Sequence, residues 1–241
     1  MATFVLVPGF WLGAWAWEDV TRELRAAGHD VHPVTLPGLA DRAGEATPEV
    51  DVETHIADLV RLVEGDDLRE VVLVGHSGAN VPVTALGDRI PERIARVVYV
   101  DAGPMPAGAS VLDSNPPEVQ DAWRKSVASD GDGWRLPLPD FGPEDLAGLD
   151  DGQRARMRAM STPQPFGTLT QPLRRPDVLP DVPRSVIATT FTPEDVRAMV
   201  DSGDPKYAVM AGVDVHHLPT GHWPMFSRPT DLAALLADLA T

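Results

Sequence analysis

Residues 3–7 read Thr-Phe-Val-Leu-Val, a continuous apolar and largely β-branched run closed by Pro8-Gly9. That is the pattern of a strand buried on both faces. Trp17, Val20, Leu24 and Ala27 then recur at helical spacing, and Gly28 stands where a left-handed C-terminal cap belongs, so a helix is predicted there. Residues 31–36 read as a second strand, and the Pro-, Gly- and Asp-rich stretch up to Val50 as a loop. Val52, Ile56, Leu59, Val60 and Val63 form one apolar helix face, stopped by Gly65. Residues 70–74, Glu-Val-Val-Leu-Val, are the next buried strand and run straight into Gly75-His76-Ser77-Gly78-Ala79. A helix to Gly87 and a strand over 96–100 complete the alternation. Strands separated by helix-length connections imply a mostly parallel sheet with right-handed crossovers, flanked by helices, because only such a connection returns the chain to the same edge.

From residue 102 to residue 182 this rhythm breaks: Pro and Gly are dense, no buried strand is predicted, and Trp123, Trp134, Phe141 and Phe166 are scattered through short helical pieces. Irregular chain of that length is too long for a simple loop. The expected organisation is an α/β core over 1–101 and 183–241, with 102–182 inserted as a helical cap over one edge of the sheet. Strands resume at 185–190 and 213–218, and 229–239 is a closing amphipathic helix.

Composition narrows the partners. With 20 Lys plus Arg against 36 Asp plus Glu, the net charge of −16 argues against a nucleic-acid backbone or an anionic membrane as partner. No run of about 18 apolar residues predicts a membrane span, and the opening apolar run is too short for a signal-peptide core. The chain has no cysteine, which rules out disulfides and thiolate chemistry and makes the cytoplasm the default expectation. A homodimer is left open.

Ser77 lies directly between a buried strand and a helix, where a tight turn pushes one side chain out at the sheet's carboxyl edge. Such a turn crowds the positions two before and two after the serine, and Gly75 and Ala79 are both small. A serine hydroxyl needs a base to remove its proton. His222, in Thr220-Gly221-His222-Trp223-Pro224 just after a predicted strand, is the candidate. His76 reads as structural, and His216 and His217 as one core and one surface residue of a strand, with no metal site assigned. Donors for an oxyanion would be the amides of Gly78 and Phe10, the latter in the turn after the first strand.

These residues resemble a known family. The segment from Val5 to Trp15, with Pro8-Gly9-Phe10-Trp11-Leu12-Gly13, looks like the opening of α/β hydrolases of the branch that holds plant methylesterases and hydroxynitrile lyases. Gly75 to Ala79 is similar to that branch's nucleophile turn, and Gly221 to Pro229 to its histidine loop and final helix. The resemblance covers residues 3–105 and 183–241. Pro8 stands where the family usually has His, and Trp223 where the lyases carry Lys, so cyanogenic lyase chemistry is not expected. The resemblance implies a triad acid either at Asp195, a few residues past the strand at 185–190, or at Asp101, at the end of the strand at 96–100. Thr192-Pro193 followed by Asp195 also reads as a helix start in which Asp195 caps. Asp101 is preferred, with Asp195 or neither as the alternatives.

The resulting expectation is a cofactor-free, metal-free serine esterase or lactonase acting on a small, largely apolar molecule through an acyl-enzyme. Leu12, Trp123, Trp134, Trp223 and Phe226 are the candidate substrate contacts. The competing expectations are a cofactor-free lyase, cyclase or oxygenase on the same fold, and a ligand-binding receptor.

Overall fold

The computed structural model describes residues 1–240. In chain order the elements are β1 Thr3–Val7, α1 Glu18–Ala26, β2 Asp30–Pro33, α2 Val52–Gly65, β3 Val71–His76, α3 Asn80–Arg89, β4 Ile94–Val100, α4 Pro117–Asp130, β5 Arg135–Leu136, α5 Asp151–Met160, β6 Gln164–Pro165, α6 Gly167–Thr170, β7 Arg184–Ala188, α7 Pro193–Asp201, β8 Asp214–His217, α8 Pro224–Ser227 and α9 Pro229–Leu239. Six strands form one sheet in the order β2-β1-β3-β4-β7-β8, with every neighbouring pair parallel.

Both faces of this sheet are covered, which is why its central strands carry apolar residues without interruption. Phe4, Leu6, Val72, Val74, Val98 and Val100 pack on one side with Val20 and Leu24 of α1 and Leu232 and Leu236 of α9. The alternate residues, Val5, Val7, Leu73, Val97 and Tyr99, pack on the other with Leu59 of α2, Leu86 of α3 and Val196 of α7. Each such buried Val or Leu contributes about 1.5–3 kcal/mol relative to exposure.

The structure departs from the sequence expectations in places with local causes. β2 ends at Pro33 rather than at residue 36, because Thr35 turns away to accept the Ala14 amide on its hydroxyl and an Arg42 hydrogen bond on its carbonyl. β8 is an edge strand with no residue fully buried, so neither His216 nor His217 enters the core. His216 is half-buried and hydrogen-bonds Asp214 at 2.8 Å, while His217 is exposed. Between β4 and β7, where no strand was expected, β5 and β6 pair antiparallel over two residues each. A small separate apolar cluster of Leu112, Val127, Leu136 and Leu169 holds this region together around Trp11 of the loop after β1.

Both ends of the 102–182 segment are tied to α3 by one buried carboxylate. Asp88 accepts from Arg175 Nε at 2.6 Å and from Arg184 at 3.1 Å, and Arg175 also donates to the Met105 carbonyl at 3.1 Å.

Candidate active site

Ser77 is the first residue after β3, with φ at +50°. A left-handed conformation at a non-glycine residue is the local strain expected of a sharp strand-to-helix turn. The crowding is visible at Gly75, where a Cβ would lie 2.6 Å from Val83 Cγ2 and 3.2 Å from the Ala79 carbonyl. Glycine is therefore required at 75, whereas Ala79 fits its methyl into the core.

Asp101 occupies the equivalent place one strand over, directly after β4, also at positive φ (+49°). Its Oδ1 accepts the Thr189 and Thr190 amides at 3.0 and 2.9 Å, and its Oδ2 accepts the Thr190 hydroxyl at 2.8 Å. His222, in the loop after β8, brings Nδ1 to 2.6 Å from Asp101 Oδ2 and Nε2 to 2.9 Å from Ser77 Oγ. Burial pushes the Asp101 pKa upward, but the hydrogen bonds from His222, Thr190 and Thr189 and the charge of His222 outweigh it and hold the carboxyl well below the usual range. With Asp101 ionised, Nδ1–H is the donor to the carboxylate, and the Nε2 lone pair faces the serine proton.

Asp195 is elsewhere. Its carboxylate accepts the Thr192 amide and hydroxyl, both at 2.8 Å, while its own amide donates to Thr192 Oγ1 at 3.1 Å, a reciprocal cap on α7.

Thr190 was not singled out from sequence, whereas His76 reads there as structural; both brace the site. Thr190 fixes Asp101, and the polar Thr189-Thr190 pair at the carboxyl end of β7 was the available signal. His76, fully buried, donates Nε2–H to the His222 carbonyl at 2.7 Å and so ties the strand before Ser77 to the histidine loop. Burial above all, and then the neighbouring His222, pushes the His76 pKa down to about 3, so it stays neutral and keeps that bond.

The loop after β1 closes over the same edge. A Cβ on Gly9 would fall 2.7 Å from His76 Nδ1, and one on Gly78 would fall 2.4 Å from the Phe10 ring. The amide of Trp11 is committed to Gln164 Oε1 at 2.9 Å. Phe10 and Gly78 flank Ser77 in the wall of a cavity of about 490 Å³, together with Asp101 and His222. Of the side chains expected to meet substrate, Trp123 and Trp223 line this cavity. Leu12, Trp134 and Phe226 do not: Leu12 is sealed in the sheet core, Phe226 stacks on Trp15 at 5.7 Å, and Trp134 packs under the Arg135 guanidinium at 4.9 Å. The 102–182 segment supplies the remainder of the lining, notably Met105, Asn115, Phe141 and Asp145.

A parallel sheet that delivers a strained serine, a histidine and a buried aspartate to one edge in hydrogen-bonding sequence defines the α/β-hydrolase class of protein. The chain belongs to the alpha/beta hydrolase family, whose model matches residues 4–235. It is 32% identical to a carbendazim hydrolyzing esterase of Nocardioides sp., over 99% of this chain and 100% of that protein. It is 29% identical to Methylesterase 7 of Arabidopsis thaliana, over 98% of this chain and 95% of the relative. Among solved structures, an extracellular α/β-hydrolase from a Paenibacillus species superposes with a TM-score of 0.84 at 22% identity, covering 99% of this chain and 98% of the other.

Proposed function

We propose that this protein is a carboxylic ester hydrolase in which Ser77 is the nucleophile, His222 the general base and acid, and Asp101 the residue that orients the imidazole. The observation that carries the reading is the unbroken chain from Ser77 Oγ through His222 to Asp101, at 2.9 and 2.6 Å. Relatives named as esterases over nearly their whole length support the same chemistry.

In the first half-reaction His222 Nε2 takes the Ser77 proton as Oγ attacks the ester carbonyl. The amides of Phe10 and Gly78 stabilise the oxyanion, and the proton passes to the departing alkoxide, leaving an acyl-Ser77 and a free alcohol. Water, deprotonated by His222, then attacks the acyl carbon, and collapse returns the proton to Ser77 Oγ and releases the acid. Asp101 stabilises the imidazolium in both halves without itself being protonated. Residues 102–182 act as a cap over the site, and Trp123 and Trp223 contact a small, largely apolar substrate.

The test is hydrolysis of short and long p-nitrophenyl esters by wild type, Ser77→Ala, Asp101→Asn and Asp195→Asn, with fluorophosphonate labelling of Ser77. Loss of activity in the first two variants and labelling of wild type are expected. Collapse in Asp195→Asn alone would show that the acid is misassigned, and an unlabelled Ser77 would remove the hydrolase reading.

A further inference from the structure

The walls of the cavity have a one-sided chemistry. Phe10, Trp11, Phe141, Trp223 and His222 form a continuous chain of ring contacts, with successive centroids 5.8, 5.7, 5.6 and 4.8 Å apart and interplanar angles of 78, 77, 68 and 79°. Both indole N–H groups in this chain are committed to backbone carbonyls, Trp11 to Leu136 at 3.0 Å and Trp223 to Asp145 at 3.0 Å. Neither indole N–H is therefore free to donate to a ligand, and what these rings offer it is aromatic carbon surface.

The charged groups point the same way. The lining residues include two carboxylates, Asp101 and Asp145, and no Lys or Arg. Asp101 is enclosed and occupied by His222 and the two threonines. Asp145 is different: it sits on an exposed stretch at the cavity rim, held in place by the Gly142 amide on Oδ2 at 2.9 Å, and no ion pair engages it among the described residues. Arg154 and Arg158, on α5, line a separate groove that shares only Phe141 with the site. The chain as a whole carries a net charge of −16, so the surrounding field adds to the local one.

We propose that the cavity discriminates by charge, rejecting anionic esters and favouring a substrate whose non-reacting part bears a positive charge, such as a quaternary or protonated amine, with Asp145 as the specificity-determining carboxylate. This rests on the esterase reading of the site, and it goes further by naming the substrate class. A cation set against aromatic faces gains about 0.5–2 kcal/mol beyond its apolar contacts, and a carboxylate at the rim adds a screened attraction. A carboxylate on the non-reacting part of a ligand, beyond reach of the Phe10 and Gly78 amides, meets the same groups with the opposite sign and finds no basic side chain in the lining to compensate the loss of water.

The experiment uses two ligands of one shape, phenyltrimethylammonium and its uncharged isostere tert-butylbenzene, with benzoate as an anion on the same ring. Each is tested as a competitive inhibitor of p-nitrophenyl acetate hydrolysis, and each is also titrated directly against the intact protein by calorimetry, which reports binding whether or not the ester is turned over. The cation is expected to bind about 10-fold more tightly than the neutral isostere, equivalent to about 1.4 kcal/mol, and benzoate more weakly than either. Added salt and Asp145→Asn should each shrink the cation-to-neutral ratio, and thermal melting verifies that the variant is folded. Equal binding of cation and isostere, or a benzoate that binds as well as the cation, overturns the proposal, as does a ratio unchanged in folded Asp145→Asn. Failure of the esterase reading is seen separately, as absent p-nitrophenyl acetate turnover with an unlabelled Ser77.

Discussion

The two regions that meet at the cavity hold their side chains by different means. Ser77 and Asp101 directly follow β3 and β4, strands that are mostly apolar and buried, and His222 stands in the loop after the edge strand β8. Trp123 comes from α4, and Met105, Phe141 and Asp145 from loops and turns, in a segment whose strands are two residues long and whose local apolar cluster is small. The sheet thus positions the reacting atoms, while the 102–182 segment lines much of the cavity they face. Substitutions on the sheet side should act on kcat, and those on the insertion side on KM or on the stability of the insertion.

The sharpest break is Ser77→Ala, for which a loss of about 10⁶-fold in kcat with an unchanged melting curve is expected. Asp101→Asn should follow at about 10⁴-fold, since the imidazole loses both its orientation and the partner of its positive form. Asp195→Asn should leave turnover intact, because its hydrogen bonds end at Thr192. Steady-state kinetics on one p-nitrophenyl ester compare all three.

Next comes the tie between the two regions. Arg175 and Asp88 are 3% and 1% exposed, so Arg175→Met strands a buried carboxylate whose remaining partner is Arg184. A destabilisation of about 3–5 kcal/mol in chemical denaturation is expected. A loss below about 1 kcal/mol would show that the insertion is held by its apolar contacts instead.

A smaller effect separates the regions by pH. Burial pushes His55 down to about 4, against the opposing pull of its bond to the Pro37 carbonyl and of Asp58 and Asp51, and His76 to about 3. Both are neutral when folded, whereas the unfolded chain protonates each below its ordinary value of 6.5. The unfolded state therefore binds more protons, and stability falls with acidification below that value, by about 1.4 kcal/mol per pH unit for each histidine. His55→Gln should reduce the slope of unfolding free energy between pH 6 and 5 by about that amount, and an unchanged slope would mean that His55 is not buried neutral. The mildest change is Trp123→Ala, expected to raise KM about fivefold with kcat nearly unchanged, a loss of about 1 kcal/mol of ring contact. A matching fall in kcat would place Trp123 among the groups that act only on the transition state.

The same division explains what could be read from sequence. The strands were legible because burial on both faces writes uninterrupted apolar runs, and the serine turn because its small residues sit between such a run and a helix. Asp101 could be preferred over Asp195 because Thr192-Pro193 already gave Asp195 another occupation, which the reciprocal cap on α7 displays. The aromatic residues were harder. Leu12, Trp134 and Phe226 look no different in sequence from Trp123, since an apolar side chain carries no mark of whether it faces core or cavity. His217 is the surface member expected of its pair, but His216 is not a core residue, because an edge strand lacks the second neighbour that would bury it.

The bond from the His76 ring to the His222 carbonyl joins positions 146 residues apart in the chain and does not involve the 102–182 segment. Residues before and after that segment are thereby fastened directly to each other, beside the contacts that the segment makes to the histidine loop from Asp145 and Gln153. The hydroxyl and the imidazole consequently share a brace to which residues 102–182 contribute nothing, so a change in that stretch reaches their spacing only through its own contacts.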